Sequence, residues 1–394
     1  MRLSVPISKT AWKEASWVFL LNRCIILLIT YLGIATIPFV GHRDAHNCAL
    51  DLKPCLFSWY NWDAVIYAHL AQYGYVLLRD TVFFPLWPLL IHLGSSPFHP
   101  TFITYYVVSI LLANLCFYFA LVVCYSLFSK DFTPSIARNA LYYLAFYPYA
   151  LFFFAGYAES LFLLLSLAVF FFLQRGQALD WWLAGLCGFL AALTRATGVM
   201  LVVPFTVVLL QRFWLGKAFK ETGLLSKLNA SLPVTLIPLG VLTYMFYLAH
   251  TTGNPIAFST QEAASWSRHL SLPWYGITAT THVLLFTATR LQALNFLDLT
   301  FTLLPIVVLL LGWRYLPLHY NLYALAMVFF ALSYPFIPAE PLSATPRYLM
   351  VIFPLFAILA VWGKYPRFDK LVLACSLPIF AVNIIFFVSH YWVA

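Results

Sequence analysis

Charge is what this sequence has least of. Only 9% of its 394 residues are Asp, Glu, Lys or Arg, against about 25% in an ordinary soluble domain. So few charges cannot coat a water-exposed surface, which excludes a soluble globular protein and leaves an integral membrane one. Regular alternation of polar and apolar residues is also missing. The apolar runs are long and continuous, which favours helices that satisfy their own backbone over a barrel. No Walker lysine follows a glycine-rich loop, and no Rossmann glycine cluster is present. No shift in composition marks a separate soluble domain, and no two similar halves of the kind many transporters carry stand out. His-x-x-x-His and paired-carboxylate patterns are absent, so His69, six residues after Asp63, stands without partners and no metal is expected. No cofactor is expected either.

What remains is 63% hydrophobic, enough for about eleven helices of about 20 residues. The formal charge is +9. Lys and Arg gathered on one membrane face account for it, so nucleic acid is not expected as a partner. The basic clusters Arg2/Lys9/Lys13, Lys130/Arg138, Arg175, Arg212/Lys217/Lys220/Lys227, Arg314 and Lys364/Arg367/Lys370 fall between apolar runs at intervals that place them all in the cytoplasm, with the N-terminus. The first apolar run is too long for a cleavable signal peptide.

The whole chain, 1–394, reads as one polytopic domain. A first span, about Ser16 to Val40, leads to an outer loop over 41–100. Within that loop Asp63 to Tyr75 carries Val65, Ile66 and Leu70 at helical spacing and stops at Gly74, which reads as an interfacial helix. Val82 to Leu93 is apolar but too short to cross, and Pro85 and Pro88 interrupt it, as in a re-entrant piece. A second span covers about Thr101 to Phe128. A third rises to Ala155-Gly156 and a fourth descends from Glu159 to Arg175. Trp181 to Arg212 has basic residues at both ends, so it crosses an even number of times, as a hairpin with Arg195 at its outer tip. Spans over about Leu232–Ala249, Asn295–Trp313, a segment rising to Ile337, Arg347–Lys364 and a last one complete the set, with a second large outer loop over 251–293. Cys48 and Cys55 share the first outer loop, either as a disulfide or as two free thiols.

Chemistry has few places to reside. Asp63 follows Trp62 on the face away from the basic loops. It reads either as a helix N-cap or as a general base held at the membrane surface, with Trp62 and Tyr67 beside it. Glu159, deep in an aromatic stretch, is costly without a partner; a helix start with its acid at the positive dipole end is the simpler reading. Arg195 and Arg347 close outer helix ends. Each suits a phosphate through bidentate donation, or snorkels to lipid headgroups. Arg23, inside the first span, needs a carbonyl or carboxylate partner.

Taken together, these pieces resemble the PIG-V family of mannosyltransferases, within the GT-C class of polytopic glycosyltransferases. The matching segments are Trp62-Asp63-Ala64 with Tyr67, Gly74-Tyr75 and Phe83-Phe84-Pro85-Leu86-Trp87-Pro88. Phe153-Phe154-Ala155-Gly156-Tyr157-Ala158-Glu159-Ser160-Leu161-Phe162, Leu193-Thr194-Arg195-Ala196-Thr197-Gly198 and Pro346-Arg347-Tyr348-Leu349 follow in the family's order. The resemblance implies an all-α GT-C-like membrane bundle with interfacial helices in the first outer loop. It further implies transfer of mannose from a polyprenyl- or dolichyl-phosphate donor to a glycolipid or glycan acceptor, on the extracytoplasmic face; with one base and direct displacement, that transfer inverts the sugar carbon. Asp63 matches the acid that activates the acceptor, where many of the class carry two adjacent acids. Trp62, Tyr67, Glu159, Arg195 and Arg347 are then substrate-binding. The short loops are closer to prokaryotic members, which points to a plasma membrane, with the endoplasmic reticulum as alternative. A transporter or flippase for a lipid-linked or polar substrate, and a non-catalytic subunit of a membrane complex, are the competing readings.

Overall fold

The computed structural model describes residues 7–36, 55, 57–214, 223–287, 292–336 and 339–393. These residues are helical almost throughout, with a single isolated bridge, between Arg268 and Phe336, as the extended pairing among them. Among the described residues six helices are long and apolar enough to cross a membrane: Lys9–Thr36, Phe102–Asp131, Ala196–Phe213, Leu224–Thr252, Gln292–Leu311 and Pro366–Val388. Ala178–Thr194 and Leu318–Leu332 are apolar but shorter. Bulky apolar side chains such as Trp17, Leu20, Leu111 and Phe246 point outward. In water such a surface would aggregate; against lipid it is the favourable one. This is the surface of a multi-pass membrane protein.

Two expected spans are interrupted. The run before Ala155-Gly156 forms a helix over Pro134–Ala145 and then a separate 3-10 turn over Ala150–Phe153. Pro148 lies in the gap, and it disfavours helix at the residue before it. The run from Arg347 to Lys364 is likewise split into Thr345–Leu349 and Pro354–Trp362. Pro354 starts the second piece, where its missing N–H goes unnoticed. The expected hairpin over 181–212 does form. Its arms are Ala178–Thr194 and the stretch from Ala196 to Phe213, joined at Arg195, whose backbone is extended at φ −156° and ψ 147°.

The first outer segment folds as short helices, Asp63–Tyr73 and Leu86–Ser95, with a 3-10 turn at Leu78–Val82 between them. Gly74 ends the first at φ 72°, a backbone that glycine tolerates best, and returns its N–H to the Leu70 carbonyl. The buried face differs from the expected one. Ala64, Tyr67, Ala68, Leu70 and Ala71 are buried, whereas Val65 and Ile66 are only partly covered. The alanines let this helix lie close against Phe102–Asp131 and Leu86–Ser95. Cys55 is disulfide-bonded; Cys48 lies outside the described residues.

Arg23 meets its need without a carboxylate. Its Nη2 donates to the Phe153 carbonyl at 3.2 Å and its Nη1 to Asn22 Oδ1 at 2.6 Å. The faces of Phe19 and Phe117 cover the guanidinium at 4.7 and 4.8 Å.

Close helix contact depends on glycine at one crossing. A Cβ on Gly240 would stand 2.5 Å from the Phe189 carbonyl oxygen and 2.8 Å from the Ala192 Cβ. Small residues at such crossings let backbones approach, which is how membrane helices gain packing contact. Gly240→Ala is therefore expected to destabilise the bundle by about 1–3 kcal/mol through overpacking. A thermal midpoint equal to that of the unmodified protein would show that this crossing is looser than drawn.

Candidate active site

The segments that interrupt the apolar runs converge at one end of the bundle. Asp63 opens its helix, but its carboxylate does not cap it: the cap position is Trp62, with no side-chain cap bond. Instead Asp63 Oδ2 accepts from Arg347 Nη1 at 2.7 Å. Arg347 Nε lies 3.4 Å from Glu159 Oε1, and Arg195 Nη2 lies 3.1 Å from the same oxygen. Asp63, Arg347, Glu159 and Arg195 thus form a continuous chain of two acids and two guanidiniums. Its formal charges cancel. The snorkelling reading fails for both arginines, since their side chains are only 6% and 17% exposed and turn inward.

Local structure explains how each group arrives there. Trp62 is held at φ 52°, a strained backbone for a bulky residue. This turn aims the first carboxylate of the helix inward. The Tyr157 hydroxyl receives the Asp63 amide and donates to the Asn61 carbonyl, both at 3.2 Å. Ala158-Glu159 begins the next helix, so Glu159 lies beneath the arginines, fully buried. Gly156, at φ 79°, leaves no room for a Cβ, which would fall 2.5 Å from Ser109 Oγ. Trp87 Nε1 donates to the Gly156 carbonyl at 3.0 Å and so ties the first outer segment to this turn. Past Arg195 the chain folds back so tightly that a Cβ on Gly198 would meet the Ala191 backbone at 2.4 Å. Ala344, three residues before Arg347, is also left-handed, at φ 63°. Strained turns thus precede both Asp63 and Arg347.

Above the ion chain is a cavity of about 190 Å3. Asp63, Tyr67, Arg195 and Arg347 line it. Tyr348 lies flat enough to serve both arginines, 5.0 Å from the Arg195 guanidinium and 5.4 Å from that of Arg347. Burial pushes the Tyr67 phenol well up, which keeps it a neutral hydrogen-bond donor. Two expected residues stand off the wall. Glu159 backs the guanidiniums from below, and Trp62 packs edge-on against Trp392 at 4.8 Å, which itself lines the cavity. His69 packs against Tyr73, their rings 4.9 Å apart. Among the described residues no three His, Cys, Asp or Glu side chains gather as metal ligands.

The sequence reading passed over several wall residues. Arg268 donates from Nη1 to the Tyr334 carbonyl at 3.0 Å and from Nη2 to the Ser343 carbonyl at 2.8 Å. It brings a third guanidinium to the cavity and ties the second outer loop to the segment that carries Arg347. Glu262 and Trp266 come from the same loop. Burial raises the Glu262 carboxyl above its usual range, with Arg268 opposing. Nothing in the spacing of loop residues 251–293 marks these three out.

Comparison with known proteins covers part of these segments, those that carry Asp63, Glu159, Arg195 and Glu262. The family model described as Mannosyltransferase (PIG-V) matches residues 48–266, more than half of the chain. No curated protein sequence matches it. Among solved structures, the Archaeoglobus fulgidus oligosaccharyltransferase tethered to an acceptor peptide containing the NVT sequon is 12% identical with a TM-score of 0.49, over 95% of this chain and 55% of that one. The apo form of the same protein gives 12% and 0.48, over 95% and 56%. The chain thus spans about half the length of those structures.

Proposed function

This chain belongs to the mannosyltransferase (PIG-V) family, a family of glycosyltransferases, and from that premise we propose that it moves mannose from a polyprenyl-phosphate donor to a glycolipid or glycan acceptor, with inversion at the sugar carbon. The observation that carries this reading is the Asp63–Arg347 bond, a carboxylate and a guanidinium 2.7 Å apart on the wall of a cavity at the end of an apolar bundle. A donor already in the membrane suits a cavity at the end of an apolar bundle, and no nucleotide-binding motif is needed.

The chemistry balances on these groups. Asp63 Oδ1, which carries no hydrogen bond among the described residues, takes the proton of the acceptor hydroxyl. The acceptor oxygen bonds to the anomeric carbon as the bond from that carbon to the phosphate oxygen breaks. The electron pair leaves with the phosphate, whose charge grows by one as Asp63 becomes neutral. Arg347 touches the acid that loses charge and lines the space where the phosphate gains it. Its guanidinium therefore stays compensated throughout, and Arg195 and Arg268 add fixed positive charge where it develops. Glu159, shared by Arg195 and Arg347, orients both.

The test is turnover by purified protein in detergent or nanodiscs, supplied with polyprenyl-phosphate mannose and a saccharide-lipid acceptor. Mannolipid product supports the reading. Its absence, with donor transport across a vesicle membrane, would favour a flippase instead.

The orientation is a separate proposal. Asn229-Ala230-Ser231 is a glycosylation sequon near the start of the Leu224–Thr252 span, whose other end leads to the cavity loop. If the cavity faces the lumen, Asn229 stays unmodified in a eukaryotic secretory membrane, whereas His269→Asn, which completes a sequon with Leu270 and Ser271, gains a glycan. The opposite pattern on gel mobility would place Asp63 on the cytoplasmic side.

A further inference from the structure

Asp63 is occupied by Arg347, and Glu159 lies below the wall between two arginines. One other carboxylate lines the cavity, that of Glu262. It makes no side-chain hydrogen bond and no ion pair among the described residues. Its helix, Ala257–Trp266, turns one face to the cavity: Phe258, Ser259, Glu262 and Trp266 follow at helical spacing and all line it. That face is rigid. Trp266 Nε1 donates to the Arg79 carbonyl at 3.1 Å, and the ring meets Phe83 edge-on at 5.6 Å. Beyond Trp266 the helix is stopped by Ser267 at φ 52°, and the Arg268 amide returns to the Glu262 carbonyl at 2.9 Å. An unpaired carboxylate one helical turn from a pinned indole serves two needs of a pyranose ring at once. The carboxylate accepts from adjacent hydroxyls, and the indole covers the apolar C–H face of the ring.

We infer that Glu262 and Trp266 form a saccharide subsite of this cavity, where a pyranose ring packs on the indole and two of its hydroxyls donate to the Glu262 carboxylate. This rests on the glycosyltransferase reading for its role in turnover, but not for binding. The ring held there is either the donor mannose or the sugar at the end of the acceptor.

Two measurements test it. Saturation-transfer NMR with methyl α-D-mannopyranoside on the detergent-solubilised protein is expected to show sugar C–H protons in contact with protein, and the signal is expected to fall in Glu262→Gln and Trp266→Leu. Trp266→Phe, which keeps an aromatic face without the N–H, is expected to retain part of it. Equal signal in all four proteins, or none in any, overturns the subsite even where transfer is measurable. In the transfer assay, Glu262→Gln is expected to raise one KM by about 10- to 100-fold, as for loss of a hydrogen bond to a charged group. A rise in donor KM assigns the subsite to the donor sugar, and a rise in acceptor KM to the acceptor. Unchanged KM values with normal folding, or a fall in kcat alone, overturn it. Failure of the wild-type protein to transfer mannose while still giving the NMR signal would strike the enzymatic reading and leave the subsite standing.

Discussion

Asp63→Asn is expected to lower mannosyl transfer by about 10²–10⁴-fold while leaving the protein folded. Asn keeps the size of the side chain and an oxygen that accepts from Arg347, so the neighbouring guanidinium keeps a partner. It also leaves the helix start alone, since the Asp63 carboxylate makes no cap bond. What it removes is the ability to bind a proton. The comparison with Tyr157→Phe separates chemistry from placement. The Tyr157 hydroxyl bridges the Asp63 amide and the Asn61 carbonyl, so its loss shifts the carboxylate without neutralising it. That variant is expected to lose about one decade or less, the scale of a single neutral hydrogen bond. Equal losses in both variants would mean that Asp63 acts through position alone. Near-normal turnover by a folded Asp63→Asn protein would remove it as the base.

How much of this was legible in the sequence follows the length of each signal. The helical membrane architecture was, because a long apolar run without charge has few alternatives in lipid. The breaks at Pro148 and Pro354 were present as prolines, yet the runs read as continuous because hydropathy averages over a break of a few residues. Glu159 stands out as a charge where polarity is expensive, Asp63 as an acid in the outer loop away from the basic ones, Arg195 and Arg347 as guanidiniums at outer helix ends, and Tyr67 through the family resemblance. Their pairing does not: Asp63 and Arg347 are 284 positions apart, and nothing local in either segment names the other. The matched family segment, 48–266, stops short of Arg347. An acid at a helix start usually caps it; here a deeper guanidinium claims the Asp63 carboxylate. Glu262, Trp266 and Arg268 sit in a loop where polar residues are ordinary, so only the fold shows that they face the cavity. Tyr157 lay within a recognised segment, but a hydroxyl that bridges two backbone groups leaves no trace in composition.

Replacing Arg347 is expected to damage both stability and turnover, and a second substitution should separate the two. Arg347 is buried, and two different nitrogens face two different carboxylates, Nη1 toward Asp63 and Nε toward Glu159. Arg347→Met leaves two acids with only Arg195 between them, an unbalanced negative charge in a water-poor site. Breaking one side of such a buried pair costs about 3–5 kcal/mol. The thermal midpoint in detergent should fall accordingly, and transfer should drop by about 10²–10³-fold, as for loss of a group that stabilises developing charge. Adding Glu159→Gln restores neutrality, since Asp63 and Arg195 then balance. The double variant is expected to regain much of the lost stability and none of the lost activity, because the guanidinium that we propose meets the donor phosphate is still missing. Arg347→Lys should fall between these cases. It keeps the charge, but one ammonium cannot both donate to Asp63 and stand beside Glu159 as the two nitrogens of the planar guanidinium do. Recovery of turnover along with stability in the double variant would mean that Arg347 serves only to neutralise the buried acids, and the donor phosphate would then rest on Arg195 and Arg268.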